Sequence, residues 1–204
     1  DAVTLALTYA EITYETLWDE EVYLGKLDDY DWLHLHHEDF TGQYGKFYRS
    51  HHNAKWYKDQ KQQFEQIASK LGYSSVHEEK KGIARIIKSY VGNGGFLFAM
   101  CSATDSYDIG LAMGQLDGVH RVFDGTDINP AIQSKLDYSQ CFAFENFTII
   151  PDPMVYEFSD IDFPPSNNPV TRGAEADYFT LFEFSAKYDP VPTMLTQNHV
   201  PVIK

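Results

Sequence analysis

Cysteine, basic residues and long apolar runs are scarce in this chain, and each scarcity excludes a class of protein. Only 2 of the 204 residues are cysteine, too few for the disulfide framework of a small secreted domain. The 16 basic residues face 30 acidic ones, and the resulting formal charge of -14 repels nucleic-acid backbones and anionic membrane surfaces. No stretch approaches the roughly 18 apolar residues of a membrane span. We therefore expect no nucleic-acid partner and no insertion into a membrane.

Several cofactor and catalytic motifs are also missing. The sequence contains no Gly-x-Gly-x-x-Gly, no Walker loop and no Gly-x-Ser-x-Gly, so it gives no sign of a nucleotide cofactor or of serine hydrolysis. We expect no cofactor. What is present is a composition of 43% hydrophobic and 15% aromatic residues, enough for one ordinary core. Residues 1–204 are therefore predicted to form a single domain.

Hydrophobic periodicity predicts an α/β protein with a mostly parallel sheet. Helical spacing marks residues 1–12 and 53–71, and Ser75 with Glu78 forms a capping box ahead of a third helix. Residues 96–100 are wholly apolar, which predicts a central strand buried on both faces, followed by a sharp turn and a new helix. Further strands are predicted at residues 13–18, 31–39, 141–150, 178–186 and 191–196.

Cys101 lies at the predicted strand-to-helix turn, where α/β enzymes present a nucleophile. Ala99 and Ala103 are small enough for a tight bend, and Ser102 with Asp105 has the spacing of a capping box. Amides at the start of the helix, those of Ser102 and Ala103, would then favour a thiolate and an oxyanion. The alternative is that Cys101 is a small buried hydrophobe, as most free cysteines are.

A nucleophilic cysteine needs a base and an orienting carboxylate, and the end of the strand at residues 31–39 offers them. Alternation along a strand places His34 and His36 on one face and His37 on the other, so the three cannot bind one ion and we predict no metal site. His36, His37 and Glu38 could form a proton-transfer set or a mixed Cys/His/carboxylate metal set with Cys101. Otherwise they are a polar strand end with satisfied hydrogen bonds.

The loop that follows this strand is predicted to be an ordered functional loop. It would complete a crevice with the strand end, because the carboxyl ends of central strands converge in an open α/β sheet. The residues predicted to bind substrate there are Asp39, Thr41, Gly42, Gln43, Tyr44 and Asp105. The other histidines, His51, His52, His77, His120 and His199, stand alone and are expected to be structural or exposed.

The segment Gly94–Asp105 resembles the corresponding segment of the class I glutamine amidotransferase-like superfamily, particularly its ThuA-like branch. Residues 30–48, 96–110 and 177–204 are similar to bacterial proteins often labelled asparagine synthetase B. The resemblance implies a flavodoxin-like three-layer sandwich. It does not imply asparagine synthesis, because the amino-terminal cysteine and the ATP-binding synthetase domain of true asparagine synthetases have no counterpart here.

The resemblance also implies a site and an activity. Class I amidotransferases take a histidine and a glutamate from a late His-x-Glu segment, which does not follow Cys101 in this sequence. Similar proteins begin before Asp1 with a first strand and continue past Lys204, so the chain is expected to be a fragment lacking both. The expected function is hydrolysis or amide-nitrogen transfer on a small molecule through Cys101.

Two alternatives stay open: a non-catalytic, carbohydrate-related binding module of the ThuA-like kind, or an interaction subunit of a larger envelope assembly. A protein partner therefore stays among the expectations. The compartment is also open, with export to the periplasm or envelope favoured over the cytoplasm.

Overall fold

The computed structural model describes residues 2–44 and 47–161, whose backbone consists of helices around a short parallel sheet. The α-helices are α1 (Ala2–Tyr9), α2 (Asp19–Tyr23), α3 (Tyr48–His51), α4 (Lys55–Lys70), α5 (Val76–Gly92), α6 (Ser102–Met113) and α7 (Arg121–Asp124). The strands are β1 (Trp32–His36) and β2 (Phe96–Met100). Single 3-10 turns occupy Lys26–Asp29, Gln133–Lys135 and Tyr138–Gln140.

β1 and β2 lie side by side and run parallel, in a register that pairs Trp32 with Phe96 and His36 with Met100. The α/β class predicted from the sequence is confirmed by this arrangement of helices and a parallel pair. In the described part of the chain the sheet has two strands. The expected strands at residues 178–186 and 191–196 lie outside the described residues.

Two predicted strands are wrong. Residues 13–18 have no ladder partner in the described structure, although their β-branched and aromatic side chains suit a strand. Residues 141–150 carry isolated bridges in place of a continuous strand, at Phe144 and at Ile149, and the Ile149 bridge is antiparallel to Ser159. The physical reason there is local, because the backbone N–H groups of residues 142–144 donate to the Asp108 carboxylate.

The core lies on one face of the sheet. Leu35 of β1 packs into a cluster with Ile83 and Ile87 of α5 and with Leu111 of α6. The opposite face carries large side chains that remain accessible: Phe96 is 58% exposed, Phe98 43% and Met100 37%. The expectation that this strand is buried on both faces is therefore wrong, since the helices of the described part cover only one of them.

α5 begins as the sequence predicts, with one difference. The Ser75 hydroxyl accepts the N–H of Glu78 at 3.2 Å, as in a capping box. The Glu78 carboxylate instead binds Lys81 Nζ at 2.7 Å, a buried ammonium that also donates to Leu116 O. Among the described residues, no helix is both long enough and apolar enough to cross a bilayer.

α6 joins two cores. Its Asp108 carboxylate accepts three backbone N–H groups, from Phe142, Ala143 and Phe144, at 2.7–2.9 Å. The buried Cys141 thiol donates to Asp108 O at 3.3 Å. These contacts hold the chain after residue 140 against the helix, where Ile109, Met113, Phe144 and Phe147 form a second apolar cluster. The helix that follows Cys101 is thus fixed on both sides.

Candidate active site

Cys101 occupies the single residue between β2 and α6. Its backbone has φ 54° and ψ -134°, a left-handed conformation that a residue with a Cβ rarely adopts, and its side chain is exposed. The predicted capping box of Ser102 with Asp105 is wrong, because α6 begins at Ser102 and Cys101 itself holds the cap position without a side-chain cap. A strained turn of this kind directs the side chain away from the sheet end, as a presented nucleophile requires.

His37 holds the equivalent position on the neighbouring strand. The last registered pair is His36 with Met100, so His37 and Cys101 are the next residues on two adjacent strands. His37 also has a positive φ, of 61°. Because this turn breaks the strand alternation, the rings of His36 and His37 lie with their centroids 3.8 Å apart. The expectation that these two rings point to opposite faces is therefore wrong.

Ser106 of α6 fixes the chain just after His37. Its hydroxyl donates to Glu38 O at 3.0 Å and accepts the Phe40 N–H at 3.2 Å. One turn further along α6, Gly110 lets the Phe40 backbone approach closely, since a Cβ there would lie 2.9 Å from Phe40 O. The helix that follows Cys101 thus also positions the strand end that carries the histidines.

A cavity of about 700 Å³ opens at these strand ends, and we call it the end cleft. His37, Glu38 and Ser102 line it; Cys101 is not among the lining residues. Its other walls are mostly aromatic and acidic, and comprise Trp18, Tyr44, Phe47, Phe64, Tyr156, Asp19, Glu20, Glu21 and Asp39.

Lys80 of α5 is the central charge of the end cleft. It is 5% exposed and forms ion pairs with Asp19 and Glu38. Burial alone would lower the pKa of Lys80, but the carboxylates of Glu38, Asp19 and Glu79 raise it above its usual value. Lys80 is therefore fully charged, and its ammonium lies 5.8 Å from the centroid of the Phe64 ring.

Glu79 lies beside this group with its side chain buried. Burial raises its pKa to about 8; the nearby charge of Lys80 works against the shift, and Asp19 and Glu38 add to it. At neutral pH Glu79 is thus mostly a neutral acid. Asp19 and Glu38 then balance Lys80 with one negative charge to spare.

The loop residues predicted to bind substrate divide into two groups. Asp39 and Tyr44 line the end cleft, although the Tyr44 hydroxyl donates to Phe123 O at 2.8 Å. Burial raises the pKa of Tyr44 above its usual range. The other loop residues, Thr41, Gly42 and Gln43, are buried and do not line the end cleft.

Thr41 and Gly42 pack against His77. The His77 Nδ1–H donates to Thr41 O at 2.6 Å, while Nε2 accepts the Gly118 N–H at 3.4 Å. Burial, together with the charge of Lys81, lowers the pKa of His77 and keeps the ring neutral. Gly42 has φ 73°, and a Cβ there would lie 2.4 Å from the His77 Cα. These contacts give His77 the structural role expected of it and leave substrate binding by the loop a prediction.

The first turn of α6 supplies the remaining predicted residues. Ser102 and Ala103 hold its first two positions, whose N–H groups an α-helix leaves without intrahelical partners. Both side chains are buried, so their backbone amides are the groups they could offer to an oxyanion. Asp105 is also buried, at 4% exposure. The predicted contact of Asp105 with substrate therefore requires that the end cleft extend past the surface of α6 to this buried carboxylate.

Metal-ligand geometry is not found in the part of the chain that the structure describes: no group of three or more His, Cys, Asp or Glu side chains is arranged to hold an ion. His51 and His52 are exposed, and the His120 ring accepts the Val122 N–H at the start of α7. These three agree with the expected structural or exposed roles. His199 lies outside the described residues.

Sequence reasoning missed Lys80 and Glu79, although a signal was present. Both lie at helical spacing with Val76, Ile83 and Ile87, so two charged residues interrupt the apolar stripe of an otherwise regular amphipathic helix. Charged side chains on a buried stripe are almost always paired. The partners Asp19 and Glu38 come from distant parts of the sequence and could not be chosen from spacing alone.

Comparison with known proteins adds no family to this site. No protein-family model matches the chain, and no significant match occurs among the curated proteins or the solved structures. The amidotransferase-like resemblance therefore stays a prediction, and a functional proposal has to be argued from the chain's own residues.

Proposed function

We propose that the protein is an amidotransferase-like, cysteine-dependent enzyme that hydrolyses a small-molecule amide or transfers its nitrogen. One observation carries the proposal: Cys101 is an exposed thiol held at φ 54° on the turn between a parallel strand and the helix α6. Strain of this size persists only where the surroundings enforce it, and it concentrates at functional sites. We further propose that the α/β unit belongs to a flavodoxin-like three-layer sandwich.

The proposed chemistry uses the thiol, a histidine and two amides. The Cys101 thiol gives its proton to the ring of His37, or of His36 beside it, and its sulfur attacks the amide carbonyl carbon. The N–H groups of Ser102 and Ala103 stabilise the oxyanion. The carbon–nitrogen bond then breaks, and the nitrogen leaves with the proton held by the histidine. Water then hydrolyses the thioester to the carboxylic acid and frees the thiol, and the released ammonia either leaves as product or is passed to an electrophilic acceptor.

The substrate would enter through the end cleft, which has the volume of a small-molecule site. The acidic residues that line the end cleft outnumber its single lysine. A cationic or neutral amide therefore suits this cleft better than an anionic one. Glu38 binds Lys80 Nζ through its Oε1. We therefore assign it to positioning Lys80 and the strand end, and leave the base to the histidines.

A binding module without catalysis is the second candidate, and the ion pair of Glu38 with Lys80 favours it. Among the described residues, that pair engages the carboxylate nearest in sequence to His37, so pairing with Lys80 competes with an orienting role for this acid. Aromatic walls such as Trp18 and Phe64 are surfaces on which sugar rings stack. Under this alternative Cys101→Ser would leave ligand binding unchanged, which the fluorescence of Trp18 can report during titration with neutral oligosaccharides.

The enzyme proposal is tested by ammonia release from a panel of primary amides, measured for the parent chain, Cys101→Ser and Cys141→Ser. The parent and Cys141→Ser should release ammonia at the same rate, since the Cys141 thiol is buried and bonded to Asp108. Cys101→Ser should lose at least a hundredfold. Mass spectrometry after acid quenching should find an acyl adduct on Cys101.

Ammonia release that survives Cys101→Ser would contradict the proposal. So would the absence of release from every amide together with saturable oligosaccharide binding, which would support the binding module instead.

A further inference from the structure

Three of the aromatic side chains that line the end cleft remain exposed to solvent, and we call them the aromatic rim. Trp18 is 68% exposed, Phe47 53% and Tyr156 49%. The Phe47 and Tyr156 rings pack edge to face, with their centroids 6.3 Å apart. Large aromatic side chains that stay in water around a cavity are typical of a binding surface, because a ligand would remove their apolar area from water.

The two glutamates that follow along the chain differ in how their charge is neutralised. Glu20 Oε1 pairs with Lys70 Nζ at 2.6 Å. Glu21 also lines the end cleft, and its Oε2 accepts the backbone N–H of Trp18 at 2.9 Å. Among the residues that the structure describes, no basic side chain forms an ion pair with Glu21. Its carboxylate therefore contributes an unneutralised negative charge to the cleft.

Trp18 and Glu21 are fixed to each other by this hydrogen bond. Trp18 immediately precedes α2 in an extended conformation, and Glu21 is the third residue of that helix. The bond holds the carboxylate against the backbone of the same residue that carries the exposed indole ring. An aromatic face with a carboxylate nearby is the combination that attracts an organic cation.

The end cleft already holds a cation on another of its aromatic rings. Lys80 Nζ lies 5.8 Å from the centroid of the Phe64 ring, and Lys61 Nζ lies 6.0 Å from that of Tyr44. In the part of the chain that the structure describes, no lysine or arginine lies over the Trp18 ring in this way. The face of Trp18 is therefore open to a cation from outside the chain.

The side chains of this region favour an alkylated ammonium group over a primary one. A primary ammonium is strongly hydrated and has three N–H groups that need acceptors, whereas an alkylated one presents methyl groups to ring faces. The aromatic rim supplies three rings, and one oxygen of the Glu21 carboxylate is already bonded to the Trp18 N–H. The chain's formal charge of -14 attracts cations of either kind.

From these observations we propose that the aromatic rim and Glu21 form a subsite for an alkylated ammonium group. The cation lies on the face of Trp18 beside the Glu21 carboxylate, and Phe47 and Tyr156 supply further apolar surface. The substrate class is then an amide that carries such a group. That it is an amide rests on the function proposed for Cys101, but the subsite does not depend on the thiol.

The test uses two probes of the same shape on the full 204-residue chain. Glycine betaine amide carries a trimethylammonium group, and 3,3-dimethylbutanamide has carbon in place of the charged nitrogen. NMR titration of Cys101→Ser measures the binding of each probe without turnover. We expect the charged probe to bind about tenfold more tightly than the neutral one, because only a cation gains from the ring and the carboxylate.

Further substitutions in Cys101→Ser locate the binding. Trp18→Leu and Glu21→Gln should each weaken binding of the charged probe about tenfold, and the glutamine side chain can still accept the Trp18 N–H. The matched controls, Trp32→Leu and Glu145→Gln, remove a half-exposed indole and one negative charge at residues that do not line the end cleft. Both controls should leave binding unchanged.

Equal binding of the two probes would overturn the proposal, because charge would then play no part in recognition. Losses in the control variants as large as those in Trp18→Leu and Glu21→Gln would overturn it too, since the cation would then bind elsewhere. Ammonia release from the parent chain separates this proposal from the enzyme. Release from other amides, with no binding of the charged probe, would refute the subsite alone; binding of that probe with no release from any amide would support the subsite and contradict the enzyme.

Discussion

Two cavities of nearly equal volume border β1, about 700 Å³ in the end cleft and about 710 Å³ in a second cavity that we call the edge slot, yet they differ in the side chains that line them. In the end cleft the charge of Lys80 is paired with Asp19 and Glu38. In the edge slot, core side chains such as Leu27 and Ile83, each 1% exposed, form part of the lining. The first cavity is therefore built around paired charges, and the second around apolar side chains.

The difference shows that the two cavities cost stability in different ways. A functional cleft keeps its polar groups satisfied in the absence of a ligand, because unpaired buried charges are costly. An apolar cavity has no charge to satisfy, and its main cost is the packing contacts that its lining side chains lose. The four predictions that follow test this contrast, in order of decreasing effect.

Removing the central charge of the end cleft should have the largest effect. Lys80→Met leaves Asp19 and Glu38 without their buried partner, and it should lower the free energy of unfolding by about 3–5 kcal/mol. The matched control is Lys55→Met, whose partner Asp59 is exposed; that loss should be about 0.5 kcal/mol or less. Urea unfolding measures both. Similar losses in the two variants would show that the end cleft does not depend on its paired charges.

The same truncation should cost less beside the edge slot than in the closed core. Leu111→Ala, where the side chain is 4% exposed and away from the slot, should cost about 4 kcal/mol because it leaves a closed cavity. Leu27 is 1% exposed but borders the edge slot, so its neighbours on that side make fewer packing contacts, and Leu27→Ala should cost about 2 kcal/mol. Urea unfolding of both variants gives the difference. Equal costs would indicate that the edge slot is filled in solution.

Glu79 should make stability fall as pH rises. Its pKa is about 8 in the folded protein and 4.5 in the reference state, so between these values only the unfolded chain releases the proton. Stability should therefore decline by up to about 1.4 kcal/mol per pH unit, and level off above pH 8. Glu79→Gln should flatten this decline.

Neutral His77 acts in the opposite direction, since its lowered pKa costs stability as pH falls, and it does so equally in the parent and the variant. Urea unfolding at pH 5.5, 6.5 and 7.5 compares the two proteins. Parallel curves would contradict the assignment of a neutral Glu79.

Substitutions at the Cys101 turn should change stability least. There glycine should be more stable than alanine, the reverse of the order within a helix. Cys101→Gly should be more stable than Cys101→Ala by about 1 kcal/mol, because glycine adopts φ 54° without strain. At the exposed helical position Arg85 the order should invert, with glycine about 1 kcal/mol less stable than alanine. Thermal unfolding of the four variants measures both differences. The same order at both positions would remove the argument for a strained turn.

The helices were predicted from the sequence more accurately than the strands, for a physical reason. Helical periodicity and the Ser75 cap are local signals, and α4, α5 and α6 follow them closely. The predicted strand at residues 13–18 was wrong because strand pairing depends on the edge of another strand, which lies elsewhere in the sequence. The exposure of Phe96 and Phe98 could not be foreseen either, since what covers a sheet face is decided by packing and not by the strand itself.

The sequence predicted where the candidate site residues lie along the chain, but it did not predict the buried charges of the site. The order of strand, Cys101 and helix was readable from small residues and apolar runs, and so was a polar strand end at His36–Asp39. That His37 would turn with a positive φ, bringing its ring beside His36, was not readable from alternation. Lys80 was missed because its carboxylate partners are about 40 and 60 residues away along the chain, far beyond helical spacing.

The central claim, that Cys101 is a presented nucleophile served by His37, is tested most directly by its rate of alkylation. Iodoacetamide labelling at pH 7 is followed by peptide mass spectrometry in the parent chain and in His37→Gln, with N-acetylcysteine as the reference thiol. The parent should label at Cys101 at least tenfold faster than the reference, and His37→Gln should remove most of that excess. Labelling no faster than the reference, or an excess unchanged by His37→Gln, would contradict the account.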